Sequence, residues 1–283
     1  MFAPHRSHVT ASDNWRSLRM DVAWGCARVE PESRMATIWA RRRIVALVTT
    51  AITLFSLYAF LVQTRSDAQW DHGSGAVGAL FVRALGLTVA APFCTASIVP
   101  SPQGDLLITA AHCLGKVPAT DITFAPFYHA GISPFGDWKV TGQVFAPRWY
   151  PGGDPNSDFA FLTVNGDVQA RAGAEQIGLS LPFPASVTVE GYSVAGGLKV
   201  CTGKPTTIEV EHQQQLKFSC SGFLNGSSGG PFLTGVSKKS GLGTIVGVVG
   251  GYQQGGNSPD VSYSSPLSSA VMSLYEKIIR KMA

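Results

Sequence analysis

Asn225-Gly226-Ser227-Ser228-Gly229-Gly230-Pro231 is the stretch on which the reading of this chain turns. The glycines around Ser228 free the backbone to curl, so that the amides of Gly226 and Ser228 can point into one hollow and stabilise a developing oxyanion. Taken alone, such a segment is more often a glycine-rich hairpin turn. Two segments upstream change its weight: Thr109-Ala110-Ala111-His112-Cys113, and Ser157-Asp158-Phe159-Ala160-Phe161-Leu162. A serine hydroxyl is a poor nucleophile at neutral pH and needs a base to take its proton and a carboxylate to orient that base. His112, Asp158 and Ser228 offer one candidate for each role.

The other histidines have poorer settings: His5 and His8 lie near the N-terminus, His72 in a polar stretch, and His129 and His212 beside polar or loop segments. His112 instead follows the apolar run Leu106 to Ala111, at a strand end where its ring can emerge. Asp158 opens an apolar strand, where a buried carboxylate needs a donor such as an imidazole N–H. Asp154 and Asp167 are reserve candidates for the orienting acid. Asp154 to Asp158 also mimics the start of a calcium loop, but Phe159 stands where that loop needs glycine and Asn165 where it needs a bidentate carboxylate, so no metal site is expected. No organic cofactor is implied either. Gly226 to Gly230 satisfies G-x-S-x-G, yet α/β-hydrolases place their Asp and His after the serine, and no histidine follows Ser228.

With 283 residues, 45% hydrophobic content, 31 glycines, 17 prolines and only 14% charged residues, the chain suits many short strands joined by tight turns. Residues 1–43 hold eight Lys/Arg against four Asp/Glu, whereas residues 44–283 hold fourteen of each. The later part thus has no basic surplus for phosphate backbones, and nucleic-acid binding is not expected.

Ile44 to Val62 is a nineteen-residue stretch without a charge, preceded directly by Arg41, Arg42 and Arg43. As a helix it would just span a hydrocarbon core of about 30 Å, leaving the arginines in the cytoplasm and the rest exported. It is either a retained anchor or a signal, the latter favoured by the small residues Ser66 and Ala68 and by Met35 as an alternative start. In both cases the expected location is the outer side of the membrane, anchored there or secreted. Cys94, Cys113, Cys201 and Cys220 follow this segment and Cys26 precedes it. Four cysteines allow three pairings, of which Cys94–Cys113 and Cys201–Cys220 are favoured; the lack of a C-x-x-C spacing argues against zinc.

The expected organisation is a cytoplasmic tail at 1–43, the membrane or signal helix at 44–62, a linker at 63–75 and a folded domain at 76–283. Within it, β-type runs at 76–82, 93–99, 105–111, 121–128, 138–146 and 158–164 predict a six-stranded antiparallel barrel over about 76–170. Runs at 186–192, 198–202, 206–211, 215–220, 230–234, 244–250 and 260–265 predict a second barrel over about 171–265. Leu267, Val271, Leu274, Ile278 and Met282 recur three or four apart and predict a closing helix over 267–282. The class is all-β.

On Cys94-Thr95-Ala96-Ser97, Thr109 to Cys113, Ser157 to Leu162 and Gly226 to Pro231, the region 76–283 resembles the trypsin-like serine proteases of the chymotrypsin fold, in particular compact secreted forms from actinobacteria. The resemblance implies His112 as general base and acid, Asp158 as orienting acid, Ser228 as nucleophile, the amides of Gly226 and Ser228 as oxyanion donors, and a protein or peptide substrate. It also places the floor of a specificity pocket near Gly222 and its wall near Gly250, Gly251 and Tyr252, without a carboxylate, which favours small or apolar residues over Arg or Lys. Two departures stand out: Ser227 replaces the usual aspartate before the nucleophile, and there is no Ile-Val-Gly-Gly start, so the family's zymogen ion pair has no acid at that position and no such activation is expected. A catalytically silent binding module and a serine esterase are the competing functions.

Overall fold

The computed structural model describes residues 45–56, 73–84, 87–88, 91–115, 117–150, 153–180, 183–194 and 197–283. The predicted tail at 1–43, residues 44 and 57–62 of the predicted membrane helix and residues 63–72 of the linker lie outside the described residues. In the N-terminal unit, residues 45–56 form a helix, α1, exposed along its length. At 1.5 Å per residue its twelve residues cover about 18 Å, and no helix among the described residues is long and apolar enough to cross a membrane. Its threonines return their hydroxyls to the helix backbone: Thr49 Oγ1 donates to Val45 O at 3.0 Å and Thr50 Oγ1 to Ala46 O at 2.7 Å.

In the C-terminal unit, strands β1 (Val77–Ala84), β3 (Cys94–Val99), β4 (Leu106–Thr109), β7 (Ala160–Val164), β6 (Trp138–Phe145) and β5 (Ile122–Pro126) pair in that order, and β5 pairs back onto β1. This closed six-stranded antiparallel barrel is the first one read from the sequence. The short β2 (Leu87–Thr88) extends β1 as a hairpin. Closure removes the free edges that would otherwise expose unpaired backbone groups. Leu80, Ile98, Leu107, Phe124, Val140 and Leu162 belong to its core, and β3 and β4 are buried along their whole lengths, so their outer faces are covered as well as their inner ones.

The second half departs from the expected second barrel. It forms a five-stranded sheet, β10 (Leu198–Gly203), β9 (Val187–Tyr192), β13 (Pro231–Thr234), β14 (Thr244–Val248) and β8 (Gln176–Ile177), and a three-stranded sheet, β11 (Thr206–Val210), β12 (Gln213–Ser219) and β15 (Val261–Ser264). The ladder is interrupted between β10 and β11 at Lys204-Pro205, where proline has no N–H to give. Between β14 and β15 only single backbone bonds remain, such as Gly250 N–H to Tyr263 O at 3.0 Å. Val187, Val189, Leu216, Phe218, Phe232 and Val246 pack between the sheets. The disulfides Cys94–Cys113 and Cys201–Cys220 form as favoured, with Cα separations of 6.2 and 6.5 Å.

Two elements tie the halves together. Helix α3 (Ser269–Met282) follows the second half but packs on the first barrel through Val271, Tyr275 and Ile278. Tyr275 stacks on Phe161 at 5.9 Å and its hydroxyl donates to Pro100 O at 2.6 Å. Residues 73–75, expected to be linker, belong to the folded unit: Ser74 is fully buried and its N–H donates to Glu190 Oε2 at 2.9 Å.

Glu175 and Glu190 are buried to 0% and 1% exposure. Burial pushes the Glu175 carboxyl up to about 7, against hydrogen bonding from Ser74 and Gly243. Burial and the Coulombic effect of Glu175 push Glu190 up to about 8, against the Ser74 N–H. The neighbouring phenol of Tyr192 is raised as well, mainly by burial. A carboxyl raised in the folded state binds more protons there than in the unfolded chain, so its contribution to stability is greatest below its unfolded value of 4.5 and is lost as pH rises through 7 to 8. Thermal melts of the chain, with Glu190 still facing an amide, are expected to fall in midpoint from pH 5 to pH 8.5, and Glu190→Gln is expected to flatten that slope.

Candidate active site

His112 lies in the 3-10 turn Ala111–Cys113 directly after β4, where the strand leaves the barrel. The Cys113–Cys94 disulfide ties this turn to β3, so the ring is fixed from two strands. Asp158, which caps the 3-10 turn Pro155–Ser157 just before β7, is 1% exposed. Its Oδ2 lies 2.7 Å from His112 Nδ1 and accepts the Gly251 N–H at 2.8 Å, while Oδ1 accepts the His112 backbone N–H at 2.9 Å. Three hydrogen bonds thus converge on one nearly sealed carboxyl group. With Nδ1 engaged by the carboxyl oxygen, Nε2 is the ring nitrogen left for another partner.

The reserve acids are engaged elsewhere. Asp154 accepts from Asn156 N–H at 2.9 Å and pairs with Arg148 at 2.8 Å, and Asp167 accepts from Ala170 N–H at 2.8 Å at the start of α2 (Gln169–Ala172).

Ser228 and His112 line one cleft of 670 Å³. The two side chains share it without a direct hydrogen bond, a looseness common in unliganded sites of this kind. Within the segment 225–230, Ser227 N–H donates to Leu224 O, Gly229 N–H to Val249 O and Gly230 N–H to Ser227 O. The N–H groups of Gly226 and Ser228 have no acceptor among the described residues. Gly226 has φ +99°, and a Cβ there would stand 3.0 Å from Pro92 O, Tyr192 O and Val194 N. At Gly229, with φ +82°, a Cβ would lie 2.2 Å from Thr95 O and Thr109 Oγ1. Both positions need glycine for conformation and for space.

Thr95, on β3, holds this loop to the first barrel. Its N–H donates to Ser228 O at 2.7 Å, its hydroxyl donates to Gly226 O at 2.9 Å and accepts Tyr192 N–H at 2.9 Å, and its carbonyl accepts the Thr109 hydroxyl at 2.7 Å. An oriented imidazole, a serine hydroxyl and two unpaired amides thus face one cleft, an arrangement able to carry out acyl transfer.

No protein-family model and no curated protein matches the sequence. Solved structures do match in fold. The protease Anisep from Arthrobacter nicotinovorans is 23% identical with a TM-score of 0.60, over 74% of this chain and 97% of that one. The thermostable serine protease AL20 from an extremophilic microorganism is 24% identical with a TM-score of 0.60, over 73% and 98%. A Glu endopeptidase is 14% identical with a TM-score of 0.55, over 73% and 91%. The chain has the chymotrypsin fold.

In this example of the chymotrypsin fold, the cleft that holds His112 and Ser228 is lined by other residues than those expected to shape a specificity pocket. Gly222, Gly250, Gly251 and Tyr252 are not among those lining the cleft. Gly222 N–H donates to Pro259 O. Gly250 packs on the Asp158 carboxylate, where a Cβ would lie 2.8 Å from Oδ2, and Gly251 donates to that same oxygen. Tyr252 N–H donates to Gln215 Oε1, and its ring meets Tyr263 edge-on at 5.2 Å. The cleft is walled instead by Phe223, Val249, Val261, Ser262 and residues 253–258, and no Asp, Glu, Lys or Arg is among its lining residues. The grouping of Cys94, His112 and Cys113 has metal-like spacing, but both sulfurs are committed to a disulfide.

In the sequence Thr95 stands out only within the motif Cys94 to Ser97 and Gly251 only as expected pocket wall; the bonds that give them their places, those of Thr95 to the 225–230 loop and the Gly251 N–H to Asp158, depend on the fold. Replacing Thr95 by valine keeps its shape while leaving the buried Tyr192 N–H and Gly226 carbonyl short of a partner. Such loss costs about 1–3 kcal/mol per group. Urea denaturation of Thr95→Val is expected to show a loss of about 2 kcal/mol or more.

Proposed function

We propose that the chain is a serine endopeptidase, a reading carried by one observation: His112 is held at Nδ1 by buried Asp158 while its ring shares a cleft with Ser228 and two free amides. In this reading His112 Nε2 takes the Ser228 proton as Oγ attacks a peptide carbonyl. The amides of Gly226 and Ser228 receive the oxyanion, a contribution of about 10²- to 10³-fold per donor. His112 then returns the proton to the leaving amine, and the acyl-enzyme ester is hydrolysed by the same steps with water as nucleophile. Asp158 keeps the ring in the productive tautomer throughout.

The neutral cleft supports peptide substrates with uncharged side chains at the residue before the scissile bond. Phe223, Val249 and Val261 give it apolar walls, and Ser262 adds a hydroxyl. A further part of the proposal concerns location. The uncharged stretch 44–62 behind Arg41 to Arg43, together with two disulfides, favours a domain on the outer side of a membrane, anchored or released. The back-bonded threonines of α1 suit hydrocarbon, where a free hydroxyl would be costly.

A fluorophosphonate probe is expected to label the wild-type chain and not Ser228→Ala, and Asp158→Asn is expected to lower casein turnover by about 10⁴-fold. Absence of labelling would leave a binding module, and cleavage of short-chain esters without casein would leave an esterase. A peptide panel is expected to show cleavage after small or apolar residues, and cleavage confined to Arg or Lys would contradict the neutral cleft.

A further inference from the structure

Cys94, His112 and Cys113 have a second chemistry open to them besides the one described above. Their two sulfurs and a ring nitrogen all lie within 4.8 Å of one another. In a tetrahedral zinc site, with Zn–S about 2.3 Å and Zn–N about 2.0 Å, the donor atoms stand on the order of 3.5 Å apart. The grouping is therefore already close to the span of such a site. The two cysteines are 19 residues apart in sequence, so it is the fold and not a short spacing that brings them together. What withholds their sulfurs is the disulfide bond between them.

The surroundings suit a metal ion. Asp158 Oδ2 holds His112 Nδ1 at 2.7 Å, which leaves Nε2 for a metal. The same carboxylate–imidazole pairing orients the histidine ligands of zinc and raises their basicity. Cys94 and Cys113 are 3% and 7% exposed, yet both line the cleft, which gives a small ion and a small reductant one path to them. Two thiolates cancel the charge of Zn²⁺, and no Lys or Arg lines the cleft to repel it. Among the described residues no such grouping forms around the other disulfide, Cys201–Cys220.

We propose that the chain with its Cys94–Cys113 bond reduced is a zinc-binding form, in which the two thiolates and His112 Nε2 hold the ion and a water completes the tetrahedron. The bond is cleaved by a thiol reductant: two of its thiols become a disulfide, and the two electrons and two protons they give up leave Cys94 and Cys113 as thiols. Binding of Zn²⁺ then releases those two protons to water. Exchange with a disulfide partner, itself reduced to two thiols, re-forms the Cys94–Cys113 bond and expels the ion. With zinc on Nε2, His112 has no lone pair for the Ser228 proton. The disulfide is then an on-switch: a chain still reduced is held silent by zinc, and its oxidation frees the base. This consequence rests on the proposed role of Ser228, whereas zinc binding does not.

The test uses the full chain reduced with a trialkylphosphine, which takes the oxygen of a water as the disulfide becomes two thiols. Co²⁺ is the spectroscopic probe and Zn²⁺ its competitor. The reduced chain is expected to take up Co²⁺ with thiolate-to-metal charge-transfer absorption that Zn²⁺ abolishes, and the oxidised chain to show neither. Cys94→Ser/Cys113→Ser is expected to lose the absorption, and His112→Ala and Asp158→Asn to bind about tenfold more weakly or worse. Fluorophosphonate labelling of the reduced chain is expected to fall about 10²-fold or more with Zn²⁺ and to return with EDTA, while that of the oxidised chain does not change. Should reduction loosen the fold, the metal is expected to raise the melting midpoint of the wild type and not of His112→Ala, since an ion that binds only the folded site stabilises it. Absorption that is as strong in Cys94→Ser/Cys113→Ser, or an affinity unchanged in His112→Ala, would overturn the site. Labelling that persists with zinc bound would overturn the switch. Metal binding with the expected variant pattern, in a chain that never labels in either state, would uphold the site and count instead against Ser228 as nucleophile.

Discussion

The candidate site depends on one threonine bridging two halves that share little ladder pairing. Thr95 belongs to the first barrel, but three of its bonds go to Ser228, Gly226 and Tyr192 of the second half. A loop as rich in glycine as 225–230 has many conformations open to it, and ordering it costs about 1–2 kcal/mol per residue in backbone entropy. The bonds from Thr95 select the conformer in which the carbonyls of Gly226 and Ser228 point toward the barrel. Their N–H groups are left without acceptors among the described residues, in residues that line the cleft. The geometry of the amides is thus set from a strand more than a hundred residues away in sequence.

Asp158 is held by the same logic. Its three donors are two backbone N–H groups and one ring nitrogen, so its orientation is determined by the chain path of the 3-10 turn at His112 and by Gly251. Gly250 must be small for this, since a Cβ there would press on Oδ2. Main-chain donors cannot rotate away as a hydroxyl can, and they are preorganised before any substrate arrives. The disulfide at the neighbouring Cys113 adds a covalent restraint on the turn that carries His112.

Much of this was legible in the sequence where the determinants are local. The closed first barrel follows from short apolar runs separated by glycine and proline turns, and α3 from its three-four spacing. His112, Asp158 and Ser228 stand out because each sits at a strand end in a distinctive setting. The two-sheet form of the second half was not legible, because ladder breaks at Pro205 and after β14 look in sequence like ordinary turns. The cleft wall at 253–258 was hidden for a related reason: Gln253 and Gln254 adopt φ of +52° and +54°, a conformation that glutamine does not advertise. Tyr252, expected as pocket wall by resemblance, is not among the residues lining this cleft, and its N–H is held by Gln215.

Glu190 shows most clearly why pattern alone misleads here. In Val187-Thr188-Val189-Glu190-Gly191-Tyr192, a period-two reading puts Glu190 and Tyr192 on a solvated face. In the fold, Tyr192 is buried with Val77, Ala79, Phe81 and Ala125 of β1 and β5, so the face that should be wet is covered by the first barrel. A carboxyl caught in such an interface is destabilised when charged and has no outlet to water. The chain tolerates it beside Ser74, the point where the polypeptide enters the domain. The burial of Glu190 thus follows from the packing of β9 against the first barrel and not from anything in its own strand.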